Sequence, residues 1–438
     1  MKQKLLKKTP AGGGGLRRLI LLVVLSTAVD AGVGAQQLTR ELTEVLHDSS
    51  FMVEVHDGRW IVASNYKEDC RFFQLDSTCS IAKELVFLPG LRVHDLKIGA
   101  SIYFCGSRKD GGVRKGIMGY FNMSAFSGGN VRYFIMDEVE RLDKLVSYYV
   151  HGCLHVSMVG SYPNGRSCVV DAVTWAENPG GWNVFFGTPT YYPFHLDDIA
   201  VTNNNVVLSG RNVQARMGFL FLFDKECRCE DPFFWMESGV VCQLPERAHG
   251  PVRLASGQQE HYFAAYLSDY SYNLCKYDAD QYLSTNKIGY PDGPTSCALK
   301  GICTDKDSTG VNLLGVYGQN STQCNSGVWY VPSAVVGSTG LVKSYHYYNN
   351  NRLTSIVRRF HQARGVVVSG GRGRLQVNRM KFNYQGNCAP QFEYWVDRLD
   401  HYYPKKLPEV EIPCTYRNMD VMVKVCNTET IAVNTICQ

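Results

Sequence analysis

The sequence lacks the features of several common protein classes. After residue 35 it has no run of 18 consecutive apolar residues, so it predicts no transmembrane helix there. No GxSxG, HExxH, P-loop or EF-hand pattern is present. The chain also has no CxxC pair, and the pair at residues 227–229 has no second Cys/His pair at zinc-finger spacing. We therefore expect no cofactor and no metal.

Most of the chain also lacks net charge. The formal charge of +5 is carried by residues 1–35, which hold six of the 45 basic and one of the 40 acidic residues. Residues 36–438 therefore carry equal numbers of basic and acidic groups. A neutral chain gives no electrostatic reason to expect nucleic acid as a partner. Apolar residues at 45% and aromatics at 12% exclude a disordered chain.

The N-terminus has one strongly apolar run, at residues 19–25. It follows a basic region ending in Arg17-Arg18 and precedes the small-residue segment 31–35. This order is typical of a secretory signal peptide, and the run is short for the alternative, a membrane anchor. We predict a signal peptide over 1–35 and a mature chain 36–438 that is exported to the periplasm, the cell surface or the medium.

All 16 cysteines lie after the predicted signal peptide, and an even number in an exported chain favours disulfides. The sequence does not determine their pairing. Cys105 lies on an apolar strand and is expected to be a free, buried thiol. The neighbouring pairs that serve as disulfide candidates are Cys70 with Cys79, Cys153 with Cys168, Cys297 with Cys303, and Cys414 with Cys426 or Cys437.

Short apolar or alternating runs broken by Gly, Asn and Asp dominate the chain, and they predict strands and turns. Residues 93–122 and 196–224 share one pattern: a strand, a tight turn, an apolar strand with a Gly near its end, a loop and a third strand ending in Asn or Asp. The second strand recurs about every fifty residues, the spacing of repeat architectures. Its seven occurrences are 60–64, 103–107, 156–161, 206–211, 262–268, 313–319 and 366–371.

Seven such units, each with room for four strands, predict an all-β fold. We expect a β-propeller of seven blades with four antiparallel strands each, in one domain over 36–438. Six or eight blades, or a β-sandwich, are the alternatives. The Cys-containing segment 388–438 falls outside the units. We expect it to complete the first or last blade and close the ring, because closure removes exposed strand edges, or else to form an extra blade.

The unit VHDLKIGASIYFCGS…KGIMGYFN at 93–122, with its echo at 196–224, resembles uncharacterised exported proteins of gut Bacteroidales. Those proteins pair a signal peptide with repeated D-φ-x-φ…φ-φ-F-C-G…G-φ-φ-G-φ-F units. The resemblance covers the repeats and is specific in the first and third clear ones. Elsewhere Cys-Gly becomes Val-Gly, Ser-Gly or Tyr-Gly. The resemblance implies a propeller-like fold and an envelope or extracellular location, and it implies no reaction.

Two groups of residues are candidates for ligand binding. Asp95, Asp143 and Asp198 lie on or near the first strands of three units. First strands line the channel of a propeller, so these residues could form an acidic ring for a cation or a sugar. The alternative is that they form hydrogen bonds between repeats. The aromatic candidates come from the long segments 175–193 and 228–248, and their alternative role is packing between blades; they are Trp182, Tyr191, Tyr192 and Trp235.

The sequence therefore predicts an exported propeller that binds a glycan or a protein. The alternative is a carbohydrate-active enzyme, a glycoside hydrolase or lyase, that uses channel carboxylates. The S-x-D-x-G-x-x-W signature of sialidase-type propellers is absent, and no catalytic residue is assigned. We therefore prefer a binding protein to an enzyme, and leave the oligomeric state open.

Overall fold

In a computed structural model the chain is a succession of β-strands, and the residues it describes contain no helix. None of them therefore forms a helix with the length and apolar character needed to cross a membrane. The predicted signal peptide, residues 1–35, lies outside them. The described residues are 37–46, 51–56, 59–75, 82–122, 130–175, 182–189, 194–225, 240–257, 261–268, 271–278, 281–288, 295–304, 310–318, 324–332, 341–347, 353–358, 365–370, 374–381, 394–395, 399–401, 409–413, 417–419, 421–426 and 428–434.

These residues form 34 strands. In chain order they are β1 (Gln37–Leu46), β2 (Phe51–His56), β3 (Arg59–Tyr66), β4 (Asp69–Leu75), β5 (Ala82–Leu88), β6 (Leu91–Ile98), β7 (Ser101–Asp110), β8 (Val113–Asn122), β9 (Asn130–Met136), β10 (Arg141–Val150), β11 (Cys153–Ser161), β12 (Ser167–Trp175), β13 (Asn183–Pro189), β14 (Phe194–Val201), β15 (Asn205–Asn212), β16 (Met217–Asp224), β17 (Val240–Arg247), β18 (Arg253–Ser256), β19 (His261–Ser268), β20 (Ser271–Asp278), β21 (Gln281–Ile288), β22 (Thr295–Thr304), β23 (Gly310–Gly318), β24 (Cys324–Pro332), β25 (Leu341–Tyr347), β26 (Leu353–Arg358), β27 (Gly365–Gly370), β28 (Arg374–Lys381), β29 (Tyr394–Trp395), β30 (Leu399–His401), β31 (Glu409–Pro413), β32 (Arg417–Met419), β33 (Val421–Cys426) and β34 (Thr428–Asn434).

Within each sheet, strands that follow one another in the sequence pair antiparallel. Five sheets each contain four consecutive strands, namely β2–β5, β6–β9, β10–β13, β14–β17 and β18–β21. A sixth sheet contains β22–β24, and its outer strand β24 contacts β25. The seventh contains β26–β28 and takes its fourth strand, β1, from the opposite end of the chain. The prediction of an all-β fold with four-stranded antiparallel sheets is thus confirmed.

Neighbouring sheets pack against each other through apolar side chains, and the first strand of each sheet contacts the first strand of the next. Between the first and second sheets, for example, Phe72, Phe104 and Phe121 pack with ring centroids 5.2–6.4 Å apart. The second strands lie between neighbouring sheets, and β11, for example, is buried along its whole length. The first strands in contact are β2 with β6, β6 with β10, β10 with β14, β14 with β18, β18 with β22, β22 with β26, and β26 with β2.

Three successive first strands, β6, β10 and β14, carry a β-bulge at the same place. The extra residues are His94, Asp143 and Asp197, which stand between paired neighbours on the second strand. A bulge bends the strand and changes the direction of a side chain. The repeat thus places one polar residue at an equivalent position in each of these sheets.

A glycine of the second strand lies opposite each bulge, and it is the Gly of the repeated Cys-Gly, Val-Gly and Ser-Gly pairs. A Cβ added at Gly106 or Gly160 would overlap the backbone oxygen of the facing first-strand residue, Arg92 or Arg141. At Gly210 the same atom would lie 2.9 Å from a facing backbone oxygen. The bulged strand therefore needs a residue without a side chain opposite it.

The C-terminal strands add an outer strand to six sheets, in reverse order along the chain. β29 pairs with β17, β30 with β13, β31 with β9, β32 with β5, β33 with β1 and β34 with β25. An outer strand otherwise presents unpaired N–H and C=O groups, which promote association between chains. We call residues 388–438 the C-terminal belt. The fourth strand of the seventh sheet is β1, and the belt adds a fifth.

Replacement of Gly160 by Ala should destabilise the fold, because the added methyl group has no space beneath the bulge of β10. We expect a loss of about 1–3 kcal/mol, as for other overpacked sites. Gly250 has no atom within 4 Å of the equivalent Cβ position, so Gly250→Ala is the control. Urea denaturation of both variants measures the difference, and equal midpoints would contradict this account of the glycine.

Deletion of residues 388–438 should leave six outer edges unpaired. We expect a lower midpoint of urea denaturation and concentration-dependent self-association, because free edges pair with other chains. Light scattering after size-exclusion chromatography, over a range of concentrations, measures the association. A truncated chain that stays monomeric with an unchanged midpoint would show that the belt does not protect these edges.

Candidate functional site

The bulges bring a set of charged side chains together where successive first strands begin. The equivalent strands β6, β10, β14 and β18 each contribute to it, as does the second strand β15. We call this set the inner-strand cluster. Its members are His94, Asp95, Arg141, Asp143, Lys144, His195, Asp197, Asp198, Arg211 and Arg253.

Two bulge residues of neighbouring sheets contact each other directly. His94 Nδ1 lies 3.2 Å from Asp143 Oδ1, and Arg141 Nε donates to the other carboxylate oxygen at 3.1 Å. His94 Nε2 lies 3.4 Å from Ser107 Oγ. The side chains of His94 and Asp143 are 19% and 33% exposed, so this part of the cluster is accessible to a ligand.

Two neighbours, His94 and Arg141, determine the charge state of Asp143. Burial opposes its ionisation, but the hydrogen bond from His94 and the charges of His94 and Arg141 outweigh burial and hold the pKa of Asp143 below its ordinary value. Asp143 is therefore an ionised acceptor and is unsuited to donate a proton.

Asp95 has a structural role. It is buried, and its Oδ2 accepts a hydrogen bond of 3.1 Å from the backbone N–H of Leu145 in the next sheet. Its Oδ1 lies 3.6 Å from Lys144 Nζ. The carboxylate thus joins β6 to β10, as the alternative interpretation of the repeated aspartates expects.

Asp198 and Asp197 join β14 to the following sheet in the same way that Asp95 joins β6 to β10. Asp198 accepts hydrogen bonds from the backbone of Ile199 at 2.9 Å and of Leu254, on β18, at 3.1 Å. Asp197 accepts one of 3.1 Å from the backbone of Val252. Burial raises the pKa of Asp198 and outweighs the opposing effects of nearby cations and of the Leu254 N–H. These carboxylates therefore accept hydrogen bonds from the backbone of the next sheet and do not point into an acidic ring that could hold a ligand.

Charge alternates along the cluster. Asp95, Lys144, Asp198 and Arg253 occupy equivalent positions on β6, β10, β14 and β18, since the backbone N–H groups of Leu145 and Leu254, the residues that follow Lys144 and Arg253, donate the equivalent hydrogen bonds. Alternating signs make each charge a neighbour of opposite charges, which lowers the cost of placing charges near the core. No group of three or more His, Cys, Asp or Glu that could hold a metal occurs in the described part of the chain.

The repeat pattern identified the aspartates of this cluster as candidate site residues, but it did not identify the basic residues beside them. Lys144 and Arg211 are partly exposed and lie close to aspartates, with Arg211 Nε 3.1 Å from Asp197 Oδ2. The available signal was the Gly that ends each second strand, because it marks the bulge opposite and hence the residues beside it. Without a structure the bulge itself is invisible.

The structure corrects the interpretation of Trp182 as a ligand-binding residue. Its side chain is only 6% exposed, and it packs against Tyr103, Tyr120 and Phe134 of the preceding sheet, with ring centroids 5.6–6.4 Å apart. Trp182 therefore fills the core between two sheets. The other aromatic candidates, Tyr191, Tyr192 and Trp235, lie outside the described residues.

One predicted cysteine pair is wrong. Cys168 is a free, buried thiol, whereas Cys153 is in a disulfide with a different cysteine. The two side chains pack in different cores, on opposite faces of their sheet, which is why neighbours in sequence do not meet. Cys105 is free and buried, as predicted, and burial raises its pKa well above the ordinary value.

The other disulfide candidates are less informative. Cys70 is buried, and its thiol lies 3.9 Å from the backbone oxygen of Arg71. Cys303 is half-buried. The remaining candidates have no described side chain; they are Cys79, Cys297, Cys414, Cys426 and Cys437.

Comparisons with known proteins identify no family. No family model and no curated protein match the chain. Among solved structures, the Bombyx mori GH32 beta-fructofuranosidase BmSUC1 is similar with 9% sequence identity, over 90% of this chain and 98% of that chain, at a TM-score of 0.29. A TM-score this low establishes neither the fold nor the activity of this chain.

Replacement of Asp143 by Asn should reduce stability in a pH-dependent way. The pKa of Asp143 in the folded protein lies below the ordinary 3.8, so ionised Asp143 stabilises the fold above that value. This contribution disappears as the pH falls through the lower, folded-state pKa. We expect the variant to be less stable than the parent at pH 5 and the gap to close below pH 3.8.

Urea denaturation from pH 2 to pH 5 measures this gap. The control is Glu140→Gln, because Glu140 lies close by in sequence and makes no side-chain ion pair to any described residue. A gap that is constant across the range would show that the Asp143 carboxylate contributes through its shape alone.

Proposed function

We propose that the protein is an exported, non-catalytic β-propeller of seven blades that binds a glycan at the inner-strand cluster. Different observations support the closed ring, the binding role and the glycan as ligand.

The ring is supported by the contacts of the first strands. They form a series from β2 to β26, and the contact of β26 with β2 returns the series to its beginning. Pairing of β1 with β28 joins the two ends of the chain in one sheet, a common way to close a circular arrangement. Seven first strands in cyclic contact favour seven blades over six or eight.

The binding role is carried by one observation: the half-exposed polar side chains of the inner-strand cluster. His94, Arg141 and Asp143 offer both donors and acceptors, and hydrogen bonds within the cluster hold them in place. Preorganised polar groups cost less entropy when a ligand binds them. First strands line the centre of a propeller, so the cluster would lie at the mouth of the channel.

The chemistry of the carboxylates favours binding over hydrolysis. A glycosidase needs an accessible carboxylic acid that donates a proton and a second carboxylate that stays ionised. In the described cluster, Asp143 is accessible but has a lowered pKa. Asp198 has a raised pKa, but it is buried and bonded to the backbone of the next sheet. Neither residue meets the requirement for the acid.

A glycan suits the cluster better than a protein surface does. Protein interfaces have apolar, aromatic-rich centres, whereas sugar hydroxyls need closely spaced donors and acceptors such as those of the cluster. The exposed large hydrophobic residues in the described part of the chain come from separate strands and turns; they are Tyr66, Phe87, Val113, Tyr149 and Val213.

A glycan array followed by calorimetry tests this function. We expect Arg141→Ala to weaken binding of an array hit about tenfold or more, because a hydrogen bond to a charged group contributes about 1.5–3 kcal/mol. Lys276→Ala, on β20 and far from the cluster, is the control and should bind as the parent does. Product analysis of the bound glycan accompanies the measurement. Turnover would establish the enzyme alternative instead, and equal affinities of both variants would move the site elsewhere.

A further inference from the structure

A second set of charges lies in the turns between second and third strands. Each of the first four sheets has an exposed basic residue in or beside this turn. In the turn between β3 and β4 it is Lys67, and between β7 and β8 it is Lys109. Arg166 and Arg216 occupy the turns between β11 and β12 and between β15 and β16. We call these four residues the basic rim.

Carboxylates near the rim are already bound to other groups. Glu68 forms an ion pair with Arg114 at 3.1 Å, and Asp69 accepts a hydrogen bond of 2.9 Å from the backbone of Gly90. Asp110 pairs with Lys115 at 3.1 Å. The ion pairs offset the charges of Glu68 and Asp110, whereas Asp69 is hydrogen-bonded and keeps its charge.

The rim cations are not neutralised in the same way. None of the four forms an ion pair with a carboxylate among the described residues, although Lys67 lies over the ring of Tyr66 at 5.4 Å. Cations without an ion pair thus recur at equivalent turns of successive sheets, and each makes the potential around its own turn more positive. The chain outside residues 1–35 is neutral, so the rim is a local property and not a consequence of net charge.

All four turns lie on the same side of the molecule. The bulge residues of β6 and β10, His94 and Asp143, contact each other. Asp95 contacts Lys144 one position further along both strands, so neighbouring first strands run in the same direction. Asn65, at the end of β3, exchanges hydrogen bonds of 2.6 and 3.0 Å with the backbone of Val93 near the start of β6. The second–third turns thus surround the end at which the first strands begin, which is the inner-strand cluster's end.

The turns on the opposite side differ in composition. The turns between first and second strands are Gly99-Ala100, His151-Gly152 and Asn203-Asn204 in the second, third and fourth sheets, and they contain no Lys, Arg, Asp or Glu. Lys225, which follows β16, lies beside the last of these turns and donates to the backbone oxygen of Asn203 at 3.4 Å. The first–second turns of these three sheets thus carry no charged residue of their own, in contrast to the second–third turns.

We propose that the basic rim binds a polyanionic glycan, a polysaccharide with carboxylate or sulfate groups at regular intervals. This rests on the proposed function and specifies its ligand class: the inner-strand cluster would hold sugar hydroxyls, and the rim would bind the charged groups of the adjoining residues. Cations repeated from sheet to sheet complement charges repeated from sugar to sugar. Binding through such exposed charges weakens as salt rises.

The test uses two triple variants with the same change in net charge. Lys109→Gln, Arg166→Gln and Arg216→Gln remove three positive charges from the rim. Ala100→Glu, Asn203→Glu and Asn204→Glu add three negative charges to the opposite turns. Each variant's fold is verified from its urea midpoint. Lys67 stays unchanged because its ammonium group also contacts Tyr66.

The probes are polygalacturonate, chondroitin sulfate, neutral dextran and single-stranded DNA, each at low and high salt. We expect the parent to bind one of the two acidic glycans in preference to dextran and DNA, and which one it binds distinguishes carboxylate from sulfate. The rim variant should lose at least tenfold in affinity and most of the salt dependence, whereas the opposite-turn variant should stay within about twofold of the parent, since its charges are beyond a Debye length of the rim.

Equal losses of affinity in both variants would overturn the proposal that the basic rim binds the glycan, because net charge alone would then explain binding. Equal affinity for DNA and the acidic glycans would overturn the glycan as the preferred polyanion. Binding of a neutral glycan that Arg141→Ala weakens, with no effect of the rim variant, would overturn the rim and leave the proposed function in place. Absence of binding to every glycan, neutral or acidic, would overturn both.

Discussion

Buried aspartates that accept backbone hydrogen bonds from the next sheet hold the repeats in register. Asp95 binds the N–H of Leu145, and Asp198 binds that of Leu254. A sheet that packs only through apolar side chains can slide against its neighbour, whereas a hydrogen bond to a defined backbone group fixes one position. The bulge beside each aspartate and the glycine opposite it follow from this requirement, because the backbone must bend to bring the carboxylate to the next strand.

The same constraint decides which charges remain available for a ligand. Carboxylates that join sheets are buried and hydrogen-bonded, so Asp143 is the accessible carboxylate of the cluster, together with partly exposed cationic and imidazole groups such as Arg141 and His94. A cation on the next strand balances each buried carboxylate, which produces the alternation from Asp95 to Arg253. The polar cluster therefore arises from the way the sheets are joined, and the proposed binding role would use groups that the repeat places there for a structural reason.

The C-terminal belt solves a different problem, that of the outer edges. Sheets that pack face to face leave their fourth strands unpaired on the outside, and the belt pairs with six of these strands in succession. Its pairing order is the reverse of the sheet order. This long-range pairing makes the outer edges depend on residues far away in sequence, so the belt connects the stability of sheets that do not touch each other.

The sequence by itself determined the all-β class, the repeat and the four-strand unit, because alternation of apolar residues and turn-forming Gly and Asn are local properties. It also identified Asp95, Asp143 and Asp198, since they lie on or near the first strands of three units. Only the tertiary structure decided what they do: two are buried against the next sheet, and one is exposed beside His94. The burial of Trp182, the free thiol of Cys168 and the pairing of β1 with β28 were likewise beyond the sequence. Each depends on which distant strands meet, and a local pattern records a strand's periodicity but not its partner.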